Sequence, residues 1–278
     1  MIIDTHLHVV SSDVARYPLA EGRKLLEGAT VEELSETMAA AGVDRAGIVQ
    51  PITYLYDNRY VAECLARFPS KFAGIGLVDR HAPDAADQLQ RLVQEHGFGG
   101  LRIHLARPDN PAEWAAPGQD PVWQRAEELG ACFNVYGPAG LLPAVEPIIA
   151  RFPSVPVVLD HLGGAPVDED PPYPLLGNVL HLAKYANVSV KLTPQCHRSK
   201  LPYPHQDTFP TFRRLYDTFG PRRLMWGTNF PAAAKEPGYL AALEMFRTHM
   251  DFFNDEDREW LFSKTALEVW DFDRCRGT

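Results

Sequence analysis

Two histidines near the start of the chain are the first residues that could carry chemistry. His6 and His8 stand two residues apart at the end of the apolar segment MIIDTHLH. In a β-strand, residues two apart point to the same side, so the two imidazoles would project together. Such a pair can chelate a metal ion or, as hydrogen-bond donors, polarise a carbonyl group. Two unrelated polar residues would give the same pattern, but the end of a first strand favours a functional pair.

Two further motifs place a polar side chain directly after an apolar run. His161 lies in VVLDHLGG, before a glycine-rich turn, and Asn229 lies in LMWGTNFP, before a Phe-Pro step. A hydrogen-bonded core histidine and an asparagine that forms a turn would explain these positions equally well. Their value as site residues depends on whether the fold brings them to the histidine pair.

Basic residues also emerge from apolar runs, and they suggest an anionic ligand. Arg102 and His104 share one face of the segment LRIH, and Lys191 ends the run VSVK. Arginine can bind a carboxylate through two parallel hydrogen bonds. Arg198 is a further candidate, whereas Arg107 is expected to be a solvated loop charge. The residues expected to bind the anionic end of a substrate are therefore Arg102, His104, Lys191 and Arg198.

Eight short apolar runs alternate with helical patterns and would position these side chains. Runs rich in Val, Ile and Leu without strict alternation are typical of parallel strands covered on both faces. The predicted strands are Ile2–Asp4, Arg45–Val49, Phe72–Leu77, Gly100–Ile103, Cys132–Tyr136, Val155–Leu159, Val188–Leu192 and Leu224–Gly227. The predicted helices are Val31–Ala41, Arg59–Arg67, Asp84–His96, Pro121–Leu129, Leu141–Arg151, Leu175–Ala186, Phe212–Phe219 and Tyr239–His249.

Eight such units predict one α/β domain, a (β/α)₈ TIM barrel over residues 1–278. A barrel of this kind needs about 250 residues, and its active sites lie at the carboxyl ends of the strands. The first strand is not followed by a glycine-rich nucleotide fingerprint, which argues against an open doubly wound sheet. We also expect Ser11–Gly28 to cover the barrel mouth as a lid. Glu259–Phe272 is expected to pack on the barrel as one amphipathic helix.

Together, the segments DTHLH, LDHLGG and WGTNFP resemble the amidohydrolase-related branch of the amidohydrolase superfamily. Within that branch the chain is most similar to the lactonase group that includes 2-pyrone-4,6-dicarboxylate lactonase. The order and spacing of the motifs match over nearly the whole chain. The resemblance implies a barrel hydrolase in which His6, His8 and His161 surround the reacting carbonyl, but it does not specify one substrate.

The resemblance also implies roles for residues outside the three histidines. Tyr136 stands where metal-binding members often carry a ligand, and the dicarboxylate lactonase, which works without a metal, has a tyrosine there. Arg102 and Lys191 match residues of that lactonase, whose arginine holds a substrate carboxylate. Asn229 stands where the family normally has the aspartate that takes a proton from the attacking water.

Asn229 therefore departs from the family pattern. An amide has no lone pair basic enough to take a proton from water near neutral pH. Three explanations stay open: an engineered, inactivating Asp-to-Asn change, a natural protein that uses another base, or a different reaction. The first is slightly favoured because the other elements of the motif are intact.

The candidate ligands favour a site without a metal ion. A catalytic zinc site usually has three protein ligands and a water, and the available set is His6, His8 and His161. The neutral amide of Asn229 and the phenol of Tyr136 both weaken metal binding. We therefore expect no cofactor, with the three imidazoles polarising the carbonyl. Zinc or manganese bound by the same three histidines is the alternative.

Charge and cysteine content narrow the partners and the location. The net charge of −9 disfavours nucleic acid, because an acidic protein repels a phosphate backbone. Four scattered cysteines without a CxxC pair indicate reduced thiols and a cytoplasmic location. Neither a signal peptide nor a membrane-spanning run of about 20 apolar residues is expected. The expected partner is a small anionic substrate, and a homo-oligomer is left open.

The sequence thus predicts an enzyme, a hydrolase that acts on a small carboxylated lactone or a related carbonyl ester. Water would attack a carbonyl polarised by His6, His8 and His161. The first alternative is a metal-dependent amidohydrolase or a non-oxidative decarboxylase of an aromatic acid. The second is an inactive barrel that binds a small acid, and Asn229 is the feature that supports it.

Overall fold

Parallel strands form the centre of the fold. The computed structural model describes residues 1–105 and 111–274, so Arg107 lies outside the described residues. Within the described ranges, eight strands pair in chain order. They are β1 (Ile3–Leu7), β2 (Arg45–Val49), β3 (Phe72–Gly76), β4 (Phe98–His104), β5 (Cys132–Tyr136), β6 (Val157–Leu159), β7 (Val188–Leu192) and β8 (Leu224–Trp226).

The residues that follow β8 join it to β1. Phe230 forms a parallel bridge with the end of β1, and its carbonyl accepts from the N–H of His8 at 2.9 Å. The N–H of Asn229 donates to the carbonyl of His6 at 2.7 Å. Gly227 permits this approach, because a Cβ at that position would lie 2.9 Å from the Cβ and backbone nitrogen of His6. The predicted (β/α)₈ barrel is therefore confirmed.

Helices alternate with the strands and cover the outside of the barrel. The helix α1 (Val31–Ala41) has the predicted bounds: Thr30 and Glu33 form a capping box, and Gly42 ends the helix with φ 70°. The following α-helices are α2 (Arg59–Arg67), α3 (Ala85–His96), α4 (Asp120–Leu129), α5 (Leu142–Arg151), α6 (Pro174–His181), α7 (Phe209–Phe219), α8 (Ala232–Lys235), α9 (Tyr239–Glu244), α10 (Asp255–Glu259) and α11 (Thr265–Val269). Two π-helical segments, Met245–His249 and Trp260–Lys264, extend α9 and join α10 to α11.

The C-terminal helix begins earlier and ends sooner than the predicted Glu259–Phe272. The side chain of Asn254 accepts from the N–H of Asp257 and caps α10, and the helical stretch ends at Val269. The apolar pattern in the sequence predicts only the part of the helix that packs on the barrel. The first turn is polar and lies N-terminal to that part, so the predicted start was too late.

The residue after α11, Trp270, closes the end of the barrel opposite the strand termini that carry the polar motifs. Its side chain is 2% exposed and packs with residues that point inward from the strands, including Ile3, Ile75 and Cys132. The indole N–H donates to the Sγ of Cys132 at 3.1 Å. The C-terminal segment therefore forms the floor of the barrel.

Candidate active site

Four of the predicted side chains lie together at the carboxyl ends of the strands. His6 belongs to β1 and His8 follows it, while His161 follows β6 and Asn229 follows β8. The ring centroids of His6 and His161 are 4.2 Å apart, and those of His6 and His8 are 5.1 Å apart. The three imidazoles form one group, and the backbone bond from Asn229 to His6 places residue 229 beside it.

A buried carboxylate, Asp160, holds this group to the barrel. Its Oδ2 accepts from the Nε of Arg102 at 3.0 Å. Its Oδ1 lies 3.1 Å from the Nζ of Lys191, 3.2 Å from the Nδ2 of Asn134 and 3.3 Å from the Nδ1 of His6. The contacts join β1, β4, β5 and β7 to the residue that follows β6. We call these five residues the Asp160 cluster.

The Asp160 cluster has one positive charge in excess. Arg102 and Lys191 supply two cations against a single carboxylate, and the side chains of Lys191 and Asp160 have no exposed surface. Burial by itself would raise the pKa of Asp160, but the neighbouring Lys191 ammonium and Arg102 guanidinium hold it well below 3.8. The carboxylate is therefore ionised at neutral pH, and the surplus positive charge lies directly beneath the imidazoles.

The three imidazoles are neutral in this environment. Burial, reinforced by the nearby Arg102 guanidinium, lowers the pKa of His8 to about 4. Burial also lowers the pKa of His161 to about 3, although Asp160 opposes the shift. Burial lowers the pKa of His6 well below 6.5 for the same reason. Each ring therefore has one N–H and one bare nitrogen, and the hydrogen bonds decide which is which.

The tautomer of His8 is fixed by a backbone carbonyl. Its Nδ1 lies 2.8 Å from the carbonyl oxygen of Val49, which can only accept. Nδ1 therefore carries the hydrogen, and Nε2 carries the lone pair. In this tautomer the neutral ring has no second N–H to donate, and its Nε2 can accept a hydrogen bond.

The surroundings of His161 favour the opposite tautomer. Its Nδ1 lies 3.0 Å from the hydroxyl of Thr193, and that hydroxyl accepts from the amide N–H of Gln195 at 3.2 Å. The hydroxyl hydrogen is then available for the Nδ1 of His161. In this arrangement the Nε2 of His161 carries a hydrogen and can donate it to a substrate oxygen.

His6 lies between a donor and an acceptor. Its Nδ1 is 3.4 Å from the Nζ of Lys191 and 3.3 Å from the Oδ1 of Asp160. Its Nε2 is buried, and no residue within the described ranges forms a hydrogen bond with it. With Lys191 donating to Nδ1, the Nε2 becomes a second N–H donor beside His161.

Two cavities open at the mouth and share Asn229 and Lys235 in their walls. The larger has a volume of about 720 Å³ and is also lined by His161 and Arg198. The smaller has a volume of about 400 Å³ and is also lined by His8. Volumes of about 300–1,000 Å³ are typical of pockets for small molecules. His8, His161 and residue 229 therefore face space that a small substrate can enter, whereas His6 lies buried behind them.

The segment expected to act as a lid reaches the smaller cavity. Residues 11–28 all lie within the described range and form no helix or strand there. Leu25, Leu26 and Glu27 line the cavity opposite His8. The segment covers the β1 side of the mouth.

Sequence comparison identifies the family. The sequence profile of the amidohydrolase family matches residues 3–272, which is nearly the whole chain. The chain belongs to the amidohydrolase family of hydrolases. The family resemblance predicted from the three motifs is confirmed.

Relatives of this amidohydrolase include proteins with named activities. L-fucono-1,5-lactonase from Burkholderia ambifaria is 26% identical over 257 residues, covering 88% of this chain and 86% of that protein. The structure of a candidate 2-pyrone-4,6-dicarboxylic acid hydrolase from Pseudomonas putida is 23% identical, with a TM-score of 0.80 and 98% of both chains covered. A zinc-bound amidohydrolase from Burkholderia multivorans is 21% identical, with a TM-score of 0.81 and 97% and 98% covered. At these identities the two structures show the barrel fold.

The basic residues predicted to bind substrate divide into two groups. Lys191 is fully buried and bound to Asp160, so it cannot meet a carboxylate in the mouth without leaving that partner. Arg102, bound to the same carboxylate, lines a separate 50 Å³ space with His104. Arg198 lines the larger cavity, with its side chain 43% exposed and paired to Asp168 at 3.0 Å. Of these candidates, Arg198 lies nearest to the position expected of a substrate ligand.

Tyr136 stands at the rim of the site rather than inside it. It is 38% exposed, and its ring centroid lies 5.5 Å from that of His161. The guanidinium of Arg102 lies over its ring, with the Cζ atom 4.3 Å from the centroid. Tyr136 therefore packs against the arginine and faces the larger cavity.

The charge and the donor groups around the site bear on metal binding. Across residues 1–105 and 111–274, no three His, Cys, Asp or Glu side chains are arranged to hold a metal ion. The amide of Asn229 supplies no charge, and the Asp160 cluster already has a surplus cation. A divalent ion placed beside that surplus would be repelled.

Asp160 and Asp4 have roles that the sequence analysis missed. Asp4 accepts from the backbone and side chain of Thr228 and from the hydroxyl of Tyr239, so it ties β1 to β8 beneath the mouth. Both aspartates stand within the motifs that carry the histidines, at the edges of apolar strands. A charged residue at the edge of an apolar strand requires a buried partner. The position of each aspartate in the sequence therefore indicated a buried polar contact.

In the part of the chain that the structure describes, we find no helix with the length and apolar character needed to cross a bilayer.

Proposed function

We propose that this amidohydrolase hydrolyses a small lactone, or a related carbonyl ester, that carries a carboxylate. The observation that carries the proposal is the surplus positive charge of the Asp160 cluster beneath neutral imidazoles. Such a site stabilises negative charge that develops on a carbonyl oxygen during attack by water. It also attracts an anionic substrate to the mouth.

The N–H groups of two imidazoles supply the polarising hydrogen bonds. The Nε2 of His161, with Thr193 donating to its other nitrogen, points its hydrogen at the carbonyl oxygen. The Nε2 of His6 adds a second donor when Lys191 donates to its Nδ1. Loss of one such donor typically costs about 3–4 kcal/mol of transition-state stabilisation.

The anionic end of the substrate is held at the mouth. Arg198 and Lys235 both line the larger cavity, and both extend from loops or short elements beyond the strand ends. Arginine binds a carboxylate in a fixed bidentate geometry, and lysine adds a mobile positive charge. The named activities of two relatives support this class: L-fucono-1,5-lactonase supports a lactone, and the candidate 2-pyrone-4,6-dicarboxylic acid hydrolase supports a substrate with carboxylates.

We also propose that the reaction needs no metal ion. Support comes from the donor set and from the surplus cation already in the Asp160 cluster. Elemental analysis of protein purified without chelator should give far less than one zinc or manganese per chain. A metal present in stoichiometric amount, with activity lost on chelation, would favour the metal-dependent alternative.

The decisive experiment compares the Asn229 chain and Asn229→Asp on carboxylated and neutral lactones. We expect turnover of carboxylated lactones, with a KM that rises about tenfold in Arg198→Ala and is unchanged in Arg213→Ala. A tenfold change corresponds to about 1.4 kcal/mol, within the range for a hydrogen bond to a charged group. Arg213 is the matched control because it lies on α7 and pairs with Asp217 on the surface.

Other outcomes point to the alternatives. Release of CO₂ from an aromatic acid would indicate a decarboxylase. Thermal stabilisation by small acids with no turnover in either form would indicate an inactive binding barrel. If the Asn229→Asp variant and the Asn229 chain are both inert across a broad lactone panel, the proposed hydrolysis is wrong.

A further inference from the structure

We infer that His8 is the general base of this amidohydrolase, with Asn229 orienting the water that His8 deprotonates. The inference rests on the proposed hydrolysis and names the group that receives the proton of the attacking water. An amide at position 229 cannot take that proton, so another group near the mouth must accept it.

The tautomer of His8 makes it a proton acceptor. Because its Nδ1–H is held by the carbonyl of Val49 at 2.8 Å, the lone pair is on Nε2. The Nδ1 of His8 contacts an acceptor alone, whereas the Nδ1 of His6 lies between the Asp160 carboxylate and the Lys191 ammonium, and that of His161 contacts a hydroxyl. Residue 8 is half-buried, whereas His6 is fully buried. His8 also lines the smaller cavity, so its basic nitrogen belongs to a ring in the cavity wall.

Backbone hydrogen bonds between β1 and the residues after β8 hold His8 and Asn229 beside each other. The N–H of His8 donates to Phe230, and the N–H of Asn229 donates to His6. Both side chains line the same 400 Å³ cavity. A water in that cavity can donate to the Nε2 of His8 while the amide of Asn229 holds it.

Two carboxylates also line the cavities and are competing bases. Glu27 lines the cavity that contains His8 and Asn229, and Glu236 lines the larger one. Both side chains are exposed at the rim, on segments outside the barrel strands. His8 is attached directly to β1 and is fixed by two hydrogen bonds to backbone carbonyls. Its position relative to the polarising histidines is therefore set by the barrel itself.

In the proposed reaction, His8 takes one proton from water and returns it to the leaving group. Water donates its proton to the Nε2 of His8 as its oxygen bonds to the lactone carbonyl carbon, and the carbonyl oxygen becomes an oxyanion. The ring C–O bond then breaks as the oxyanion reforms C=O. The leaving alkoxide takes the proton from His8, which returns to its neutral tautomer. The product is the open hydroxy acid.

The first test needs no substrate. Protein labelled with ¹⁵N in its histidines is examined by long-range ¹H–¹⁵N correlation, with the resonances of His8 assigned by their loss in His8→Gln. We expect a protonated Nδ1 and a bare Nε2 for His8 at neutral pH. A bare Nδ1 with a protonated Nε2 would overturn the inference and leave the proposed hydrolysis standing.

The second test is a rescue experiment with the full chain. His8→Gln should lower kcat on the best lactone by about 100-fold or more, the usual contribution of a general base, with little change in KM. Adding Asn229→Asp to that variant should restore much of the rate, because a carboxylate then lies beside the same water. Glu27→Gln and Glu236→Gln are the controls and should keep the wild-type kcat.

The outcomes separate the inference from the proposed function. Full activity in His8→Gln, or loss of activity in Glu27→Gln or Glu236→Gln alone, overturns the assignment of His8. Turnover by the Asn229→Asp variant with none by the Asn229 chain also overturns it, while supporting hydrolysis. Failure of the added aspartate to rescue would show that His8 is needed for structure and not as a base.

Discussion

At the scale of single residues, hydrogen-bond partners separate three histidines that look alike in sequence. His8 contacts a carbonyl, His161 contacts a hydroxyl, and His6 lies between a cation and a carboxylate. The sequence predicted that the three rings would meet, since each follows or ends an apolar strand. It could not predict their tautomers, because the partners come from β2, β7 and the residue after β6. Long-range contacts of this kind leave no local pattern.

Asp160 is the residue whose loss should cost most stability. Asp160→Asn leaves Lys191 and Arg102 as buried cations without a counter-charge, and breaking a buried pair costs about 3–5 kcal/mol. Urea unfolding should show a loss of this size. The double variant Asp160→Asn, Lys191→Met should recover part of the loss, because it removes one unpaired cation.

The surface pair Arg213–Asp217 provides the control for that experiment. Asp217 is 51% exposed, so Asp217→Asn should cost less than about 1 kcal/mol. Equal losses in Asp160→Asn and Asp217→Asn would show that the Asp160 cluster contributes nothing beyond an ordinary ion pair.

The lowered imidazole pKa values predict that stability falls in mild acid. His8 and His161 have pKa values of about 4 and about 3 in the folded protein, against about 6.5 when unfolded. Below pH 6.5 the unfolded chain binds more protons, so the free energy of unfolding decreases as the pH falls from about 7 towards 4. Urea titrations at about pH 7, 6 and 5 measure the slope. His161→Gln should have a shallower slope, and an unchanged one would contradict the assignment.

At the scale of elements, the bounds of the strands and helices could be predicted far better than the contact between the first strand, β1, and the last strand, β8. The bounds of β2, β5 and β7 and of α1 and α2 are those predicted, because each apolar run is bounded by clear turn or cap residues. The predicted first strand, Ile2–Asp4, was too short, since β1 continues to Leu7. Its histidines lowered the apolar signal although the barrel buries His6 completely. The residues of the site therefore made the end of this strand hard to predict.

The close approach of β8 to β1 gives a prediction about Gly227. A Cβ at this position would lie 2.9 Å from the backbone nitrogen and Cβ of His6, so Gly227→Ala pushes β8 away from β1. Overpacking of this kind costs about 1–3 kcal/mol, and the shift of His6 should also lower kcat. Denaturation and lactone assays measure the two effects.

The control for Gly227 is a glycine with open space around it. Gly177 lies inside α6, and an added Cβ there has no neighbour within 4 Å. Gly177→Ala should stabilise the protein by up to about 1 kcal/mol, the difference in helix propensity. If both alanine variants change the free energy of unfolding alike, close packing between β8 and β1 is not the reason for a glycine at position 227.

At the scale of the whole molecule, the floor of the barrel is connected to its mouth. The indole N–H of Trp270 donates to Cys132, the thiol lies 3.6 Å from the side-chain oxygen of Asn134, and the amide of Asn134 donates to Asp160. The ring of Trp270 also lies 5.1 Å from the Nζ of Lys191. The barrel interior is therefore polar in its upper layer and sealed from below by one aromatic side chain.

Removing that seal should destabilise the barrel strongly. Trp270→Ala opens a cavity under the Asp160 cluster, and such substitutions of buried aromatics cost about 3–5 kcal/mol. Trp260→Ala, at a partly exposed indole on the same helical stretch, is the control and should cost much less. The free energy of unfolding in guanidinium chloride compares the two, and similar losses would mean that Trp270 does not close the barrel.

The Asp160 cluster ties five of the eight strands, or the residues just after them, through one carboxylate. Replacing Asp160 alone leaves Lys191 and Arg102 inside the protein without a counter-charge. Over generations, Asp160 is therefore constrained to change only together with its cationic partners. The loops that carry Arg198 and Lys235 have no such bond to one another, so a new substrate preference can arise there while the charged layer below is inherited intact.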